Sequence, residues 1–355
     1  MRAMVLRGTD LAIEEVALPR PGPGQLLARV LACGICGSDL HAARHIDQMT
    51  GAAGGASLSH SGIVMGHEFV AEVIEVGDGV DAFAPGARVT CMPVLIDAAA
   101  PGGMLAIGYN PRAPGAYGES ILLSAALCMP VPEGLDDATA ATTEPCAVGL
   151  HAVRESRIQP GEPALVMGAG PIGLMTLLWL KEVAVRFVAV SDPAPERRAL
   201  ARALGADAVM DPTAGPLAAA LAEALPAPEA GAAPLAGYMS GAAVAAPPVV
   251  FECVGVPGTL QEAMRLVRPH GRVVVVGVCM EEDRITPSLG VTKQLMLQFV
   301  LGYTAPEFAE ALAAIASGRV DPRPLVTRTV TLDELPAAFM ALAAPSDCKV
   351  VYVAG

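Results

Sequence analysis

Two short segments of the 355-residue chain hold side chains that suit a metal ion. Cys36 lies in the first segment, and His67 and Glu68 lie side by side in the second. Thiolate, imidazole and carboxylate groups are zinc ligands, and a catalytic zinc keeps one coordination position open for water or substrate. Cys33 and Cys36 alone also fit a redox pair or half of a structural zinc site, but the chain has no second C-x-x-C pair. We therefore predict that Cys36 and His67 bind zinc, with Glu68 as a further or exchangeable ligand.

The residues that follow Cys36 can support proton transfer. Ser38 is close enough along the chain to donate to an oxygen held at the metal, and His41 is placed to carry the released proton towards solvent. We expect Asp39 to accept a hydrogen bond from the far ring nitrogen of His67 and so to fix its tautomer.

These segments resemble the catalytic-zinc signature of the medium-chain zinc-dependent alcohol and polyol dehydrogenases. The family pattern C-G-x-C-G-[ST]-D-x-H is matched by residues 33–41, and G-H-E-x-x-G-x-V is matched by residues 66–73 with Ala71 in place of a glycine. The resemblance extends over essentially the whole chain. It implies an α/β protein in which a chaperonin-10-like irregular β-barrel catalytic domain accompanies a Rossmann domain with a doubly wound parallel sheet.

The resemblance also bears on the number of zinc ions. Polyol-type members have a Glu-Pro pair where this chain has Glu144 and Pro145, so Glu144 is a predicted third ligand and Cys146 is the competing candidate. The family's structural zinc lobe carries closely spaced cysteines soon after the position of Cys91, whereas the next cysteine here is Cys128. We therefore predict one catalytic zinc per chain and no structural zinc.

A glycine-rich segment predicts the nucleotide site. Residues 164–167 form a short apolar run, residues 168–173 read G-A-G-P-I-G, and residues 174–181 continue as a helical pattern. Glycines between a strand and a helix allow a tight turn and bring a pyrophosphate close to the helix N-terminus. The predicted contacts are the loop residues Gly168, Gly170, Pro171, Ile172 and Gly173.

The next predicted strand ends at Asp192, where a carboxylate can bind the adenosine ribose hydroxyls. A free carboxylate there repels a 2′-phosphate and so favours NAD over NADP, although the basic pair Arg197 and Arg198 can tolerate the phosphate. The resemblance adds further cofactor contacts: Arg197 on the adenosine side, and the backbone near Val254, Gly277 and Val278 towards the nicotinamide.

Composition and charge limit the possible partners. Hydrophobic residues make up 53% of the chain, many of them alanine, and a net charge of −13 argues against nucleic acid or an anionic membrane as a partner. Glycines and a proline interrupt the uncharged run 163–180, which indicates a buried strand, turn and helix in place of a membrane span. Eight cysteines without a framework of spacings indicate reduced thiols in a cytoplasmic protein.

The length of the chain predicts about two domains. We place the catalytic domain at residues 1–150 and 291–355, and the cofactor domain at residues 151–290. The active site is expected in the cleft between these domains.

Three segments carry expectations outside the motifs. We expect residues 42–63 to form a long loop that shapes substrate choice, and residues 226–248 to form a surface insertion of unassigned role. The apolar strand at 295–302 fits either an internal strand or, by resemblance, a strand that pairs across a dimer axis. The resemblance implies a homodimer or homotetramer.

The motifs and the resemblance together predict a zinc-dependent oxidoreductase that transfers a hydride between an alcohol and NAD, giving an aldehyde or ketone. The Glu144–Pro145 pair favours secondary alcohols, diols or polyols, as in butanediol dehydrogenases. Two alternatives remain at this point: a zinc-free quinone or enoyl reductase of the same architecture, which would lack the Cys36–His67 pair, and a non-catalytic NAD-binding regulator.

Overall fold

The computed structural model describes residues 1–49, 61–225, 246–342 and 347–355. These residues divide into two compact units. The first unit comprises residues 1–144, 308–318 and 326–355, and the second comprises residues 145–307 and 319–325.

The described elements are short, as the frequent glycines and prolines predict. The strands are β1 (Arg2–Arg7), β2 (Asp10–Glu15), β3 (Gln25–Gly34), β4 (Ile63–Val64), β5 (Glu68–Val76), β6 (Arg88–Cys91), β7 (Val94–Ile96), β8 (Met104–Ala106), β9 (Ser120–Ser124), β10 (Cys128–Pro130), β11 (Pro163–Met167), β12 (Phe187–Ser191), β13 (Ala208–Met210), β14 (Val249–Glu252), β15 (Arg272–Val275), β16 (Met296–Phe299), β17 (Val326–Val330) and β18 (Lys349–Val353). The helices are α1 (Gly37–Met49), α2 (Asp137–Ala140), α3 (Thr143–Ser156), α4 (Pro171–Glu182), α5 (Pro195–Ala203), α6 (Leu217–Ala224), α7 (Thr259–Leu266), α8 (Pro287–Lys293), α9 (Ala305–Ala316) and α10 (Leu335–Ala341).

The first unit is organised around β3. This strand pairs antiparallel with β5, β9 and β18, and the resulting seven-stranded sheet runs in the order β10-β6-β5-β3-β18-β17 with β9 branching from β3. Gly34 at the end of β3 is opposite Glu68 at the start of β5 and opposite Val351 in β18. This register brings the residue after the end of β3, the start of β5 and the start of β18 to one place, because antiparallel neighbours align opposite ends.

The second unit is built on a parallel sheet of six strands in the order β13-β12-β11-β14-β15-β16. The residues of β14 are buried throughout, as expected for a parallel strand covered on both faces. The strand order reverses between β11 and β14, and in such sheets ligands bind at the carboxyl ends of the strands beside that point. The glycine-rich loop follows β11 directly.

The predicted domain limits and two predicted loops differ from this structure. Residues 296–299, assigned to the catalytic domain by the limit at 291, form the sixth strand of the parallel sheet because they pair with β15. Residues 42–49 of the expected loop belong to α1, and residues 50–60 lie outside the described part of the chain. Helix α6 precedes the expected insertion, most of which, residues 226–245, lies outside the described ranges.

The uncharged run 163–180 contains β11, the glycine-rich loop and most of α4, as predicted. None of the helices in the described ranges combines the length and apolar character needed to cross a membrane.

Candidate metal centre and nucleotide loop

Cys36, His67 and Glu68 form the candidate metal centre in the first unit. One donor atom from each residue lies within 4.8 Å of the other two. The carboxylate comes from the first residue of β5, the imidazole comes from the residue just before it, and the thiol comes from the residues that link β3 to α1. Cys36 is partly exposed, whereas His67 is 6% and Glu68 is 0% exposed. A thiol, an imidazole and a carboxylate with one accessible side form a donor set that suits a catalytic zinc.

Asp39 lies where it can orient His67. Its Oδ1 is 3.2 Å from His67 Nδ1, while its Oδ2 accepts hydrogen bonds from the Tyr117 hydroxyl at 2.5 Å and the Cys36 amide at 3.2 Å. Burial acts to raise the pKa of Asp39, but the charge and hydrogen bond of His67, followed by the bonds from Tyr117 and Cys36, lower it overall. Asp39 is therefore an ionised acceptor on the Nδ1 side of His67, so that Nε2 is the ring nitrogen that can bind a metal.

Tyr109 is a member of the site that the sequence motifs did not reveal. Its hydroxyl donates to Ser38 Oγ at 2.9 Å and lies 3.2 Å from His67 Nδ1. Burial raises the pKa of Tyr109, so the hydroxyl keeps its proton. Ser38 Oγ in turn lies 3.1 Å from Cys36 Sγ and 3.4 Å from His67 Nε2, so the predicted relay residue is at the metal centre.

His41 lies on α1 with Ser38, three residues further along the helix. Residues at this spacing share a helix face, and His41 is partly exposed, which suits a route from the centre towards solvent. Burial, followed by the nearby charges of His45 and Arg44, lowers the pKa of His41. The neutral imidazole therefore predominates at neutral pH and can accept a proton.

Lys349 is the second member of the site that the sequence motifs did not reveal. Its Nζ donates to both carboxylate oxygens of Glu68 at 2.7 Å and to the Ile35 carbonyl at 3.0 Å. Burial acts to lower the pKa of Lys349, which is 1% exposed, but the Glu68 carboxylate raises it overall. A single lysine inside the apolar run at 348–353 is a signal that sequence reasoning can use, because a buried ammonium requires an anionic partner.

Gly34 makes room for this ion pair. A Cβ added at Gly34 would lie 2.1 Å from Glu68 Oε2. Glu68 lies opposite Gly34 in the pairing of β3 with β5, so a larger side chain at position 34 would collide with its carboxylate.

The other two predicted candidates for a ligand are Glu144 and Cys146. Glu144 is buried near the start of α3, and among the described residues it does not belong to the group formed by Cys36, His67 and Glu68. Cys146 is buried two residues later, and its carbonyl accepts a hydrogen bond from Trp179 Nε1. Burial raises the pKa of the Cys146 thiol to about 12.

The glycine-rich loop of the second unit has the shape that the motif predicts. Gly168 has a φ of 93°, and a Cβ added at Gly173 would lie 1.8 Å from the Gly168 carbonyl oxygen. Gly170 is the N-cap of α4, which begins with Pro171 and Ile172. The loop therefore makes a tight turn. It places the N-terminus of the 12-residue helix α4 where a phosphate can bind.

Asp192 and Arg197 lie beside this loop. The Asp192 carboxylate accepts from the amides of Ala169 and Ala194, both at 2.8 Å. Among the described residues, the buried Arg197 Nε has no hydrogen-bond partner, and its Nη1 lies 3.9 Å from the position of a Cβ on Gly170. An unsatisfied guanidinium nitrogen next to a phosphate-type loop fits a dinucleotide, whose anionic groups would satisfy it.

The remaining predicted cofactor residues flank a cavity of about 360 Å³ at the carboxyl ends of β14 and β15. Gly277 and Val278 line it, whereas Val254 is exposed nearby on the turn after β14. The buried Glu252, which the sequence motifs did not reveal, accepts from the amides of Val254 and Gly255 at 2.8 and 2.9 Å. This carboxylate fixes the turn that borders the cavity.

Comparison with known proteins identifies the family of this chain. Residues 22–133 match the family model described as alcohol dehydrogenase GroES-like domain, and residues 171–317 match the one described as zinc-binding dehydrogenase. The (R,R)-butanediol dehydrogenase of Bacillus subtilis (strain 168) is 30% identical over 336 residues, which cover 92% of this chain and 91% of that protein. The sorbitol dehydrogenase of Homo sapiens is 29% identical over 347 residues, covering 95% and 91%. A solved structure from Sinorhizobium meliloti 1021 bound to NADP has a TM-score of 0.83 at 28% identity, covering 99% of this chain and 98% of that one.

The chain therefore belongs to the medium-chain zinc-dependent alcohol and polyol dehydrogenases. It is an oxidoreductase that acts on CH–OH groups, and the predicted GroES-like and Rossmann architecture is confirmed. These relatives favour alcohol oxidation over the zinc-free reductase and the non-catalytic regulator.

Proposed function

We propose that the protein is an NAD-dependent dehydrogenase of secondary alcohols, diols or polyols with one catalytic zinc per chain and no structural zinc. The observation that carries this proposal is the converging set of Cys36, His67 and Glu68, with Asp39 on the far nitrogen of His67. Thiolate, imidazole and carboxylate donors suit zinc better than magnesium or calcium, which prefer oxygen ligands alone.

Cys36 and His67 would hold the metal, and Glu68 would join them in exchange for its pairing with Lys349. Glu144 stays a proposed further ligand. When bound, zinc supplies a Lewis acid that lowers the pKa of an alcohol hydroxyl. The protein's own contribution is to orient His67 through Asp39 and to hold the Glu68 carboxylate in place through Lys349.

Ser38 and His41 are the proposed proton carriers. Ser38 Oγ accepts a hydrogen bond from the Tyr109 hydroxyl and lies 3.1 Å from Cys36 Sγ, so the serine is held beside the centre. A serine held in this way can accept the substrate proton while it passes its own to a base. His41 would take that proton because its lowered pKa keeps it neutral before transfer.

The cofactor proposed for the second unit is NAD. The nicotinamide supplies the hydride acceptor, while the loop at 168–173, Asp192 and Arg197 would hold the nucleotide. Support for NAD comes from the carboxylate at the end of β12 and from Arg198, whose guanidinium lies 3.2 Å from Asp211 and is therefore already paired. One relative was solved with NADP, so the ratio of kcat/KM for the two cofactors is the test. A value in favour of NADP would contradict this part of the proposal.

The proposed substrate class follows the relatives. Their names, butanediol dehydrogenase and sorbitol dehydrogenase, describe enzymes of small hydroxylated carbon chains.

We also propose that the protein is a cytoplasmic homodimer or homotetramer. The support for assembly is the apolar edge strand β16, where Met296 and Phe299 are more than half exposed.

The test follows the reduction of NAD by its absorbance, with vicinal diols, polyols and primary alcohols compared at equal concentration. We expect activity with diols or polyols, and a loss of at least roughly 100-fold in His67→Ala because the metal site loses a ligand. The matched control is His270→Ala, a histidine in the second unit. Full activity in His67→Ala would contradict the proposed site.

A further inference from the structure

Cys91 and Cys128 face each other across two strands of the first unit. They are paired directly in the antiparallel register of β6 and β10. Both lie outside the candidate metal centre, and neither takes part in the proposed reaction. Their position raises a question of thiol chemistry, because cross-strand neighbours are the closest side chains in a sheet.

The backbone ladder shows which type of pair they form. The amide of Val131 donates to the Arg88 carbonyl at 2.9 Å, and the amide of Met92 donates to the Leu127 carbonyl at 3.3 Å. Hydrogen-bonded and non-hydrogen-bonded pairs alternate along an antiparallel ladder. The pair at 91 and 128 directly precedes the bonded pair at 92 and 127, so it is non-hydrogen-bonded.

This type of pair has the spacing that a disulfide needs. The Cα atoms of a non-hydrogen-bonded pair are about 4.5 Å apart, and disulfides span Cα separations of roughly 4.4–6.8 Å. The two sulfurs also point the same way, because Cys91 Sγ lies 3.9 Å and Cys128 Sγ lies 3.4 Å from the same Ser124 carbonyl oxygen. The register therefore suits a bond between the two thiols.

The two thiols differ in their access to reagents. Cys91 is 1% exposed, and burial followed by the neighbouring Cys128 raises its pKa well above the ordinary value. Cys128 is partly exposed. A reagent therefore meets Cys128 first, and Cys91 is placed to react only with a sulfur already bonded at Cys128.

We propose that Cys91 and Cys128 form a reversible oxidation site that closes to a cross-strand disulfide. A low-molecular-weight disulfide is the oxidant. The Cys128 thiolate attacks one sulfur of this reagent and releases the first reagent thiolate, leaving a mixed disulfide. The Cys91 thiol then loses its proton and attacks the Cys128 sulfur, which forms the protein disulfide and releases the second reagent thiolate. Two protein thiols are oxidised, and one reagent disulfide is reduced to two thiols.

A disulfide between Cys91 and Cys128 would enclose residues 92–127 in a covalent loop. This segment contains Tyr109 and Tyr117, which hydrogen-bond Ser38 and Asp39 at the metal centre. A cross-link at its two ends restricts the unfolded chain and therefore stabilises the folded unit. Residues 92–127 should therefore unfold at a higher temperature in the oxidised protein than in the reduced protein.

The experiment incubates the full-length zinc-loaded protein with oxidised glutathione, blocks free thiols by alkylation, and maps the cysteines by mass spectrometry without reduction. We expect a peptide pair joined through Cys91 and Cys128 that dithiothreitol separates. In Cys91→Ala, Cys128 should retain glutathione and form no cross-link. In Cys128→Ala, Cys91 should stay free because no partner receives the reagent.

The proposal is overturned if wild-type Cys128 retains glutathione or is alkylated without a link to Cys91, or if either cysteine links to a different one. The second readout is the unfolding midpoint, which should rise by roughly 4–8 °C on oxidation of the wild type and stay constant in Cys91→Ala. A linked pair with an unchanged midpoint would contradict the proposed stabilisation of residues 92–127.

Discussion

The candidate metal centre and the nucleotide loop are built in different ways. The metal centre depends on contacts between charged or polar side chains that come from separate parts of the sequence, such as Lys349 with Glu68 and Tyr109 with Ser38. The nucleotide loop depends on backbone shape, because Gly173 leaves space for the Gly168 carbonyl and Asp192 accepts from a backbone amide of the loop.

This difference predicts two kinds of damage. At the metal centre, a substitution that keeps the volume but removes a charge should be harmful, because a buried partner is left uncompensated. At the loop, a substitution that adds one methyl group should be harmful, because backbone atoms cannot move aside as side chains do.

The largest effect is expected at Lys349, which tests the importance of charge at the metal centre. Lys349→Met keeps an apolar stem but leaves the Glu68 carboxylate buried and unpaired, so the free energy of unfolding should fall by about 3–5 kcal/mol. Urea unfolding measures this change. Adding Glu68→Gln to the variant should recover most of the loss, and Lys181→Met, which affects an exposed pair with Asp207, should cost less than about 1 kcal/mol. If Lys349→Met is as stable as Lys181→Met, the buried pair does not contribute the predicted free energy of unfolding.

The next effect tests the importance of backbone shape at the nucleotide loop. Gly173→Ala places a Cβ on the Gly168 carbonyl and should lower the free energy of unfolding by about 3 kcal/mol. Gly170→Ala is the matched control, because its nearest neighbour would be 3.9 Å away at Arg197 Nη1, and it should cost no more than about 1 kcal/mol, the scale of a change at a helix N-cap. Equal losses in the two variants would contradict the steric explanation.

A smaller effect is expected from the residues that orient the metal ligands. Asp39→Asn keeps the shape of the side chain but removes the charge facing His67 Nδ1, so zinc affinity should fall roughly 10–100-fold. Tyr109→Phe removes a neutral hydrogen bond to Ser38 and should change the affinity by about fivefold or less. Competition with a chromophoric chelator measures both values. The reverse ranking would show that Tyr109, not Asp39, holds the histidine.

The smallest effect concerns the side-chain cluster of the second unit, where Glu307 accepts from Thr304 and lies 3.0 Å from His151. Burial acts to raise the pKa of Glu307, but these bonds lower it overall. A lowered folded-state pKa means that the stabilisation is present above the ordinary value of about 4.3 and is lost as the pH falls through the folded-state value. Glu307→Gln should therefore cost about 1 kcal/mol at pH 7 and progressively less in acid. A cost that stays constant or grows in acid would contradict this assignment.

The same difference explains how much the sequence could predict. The glycine-rich loop and the Cys36–His67–Glu68 set depend on short motifs and on one strand pairing, so residue types and spacing were sufficient to propose them. Tyr109 lies 71 positions from Ser38, and Lys349 lies 281 positions from Glu68. Only the register of β3 with β5 and β18 brings the last pair together, and spacing along the chain does not encode that register. The limit placed at 291 differs from the structure for a similar reason, because an apolar strand does not show which sheet it joins.

The most direct measurement is the zinc content of chelator-washed protein by mass spectrometry, with wild type and Cys36→Ser compared alongside NAD-linked alcohol oxidation. We predict about one zinc per wild-type chain, and loss of both metal and activity in the variant, since the site would lose its thiolate. Two zinc ions per wild-type chain would contradict the absence of a structural site. Active wild-type protein without zinc would contradict the proposed metal centre itself.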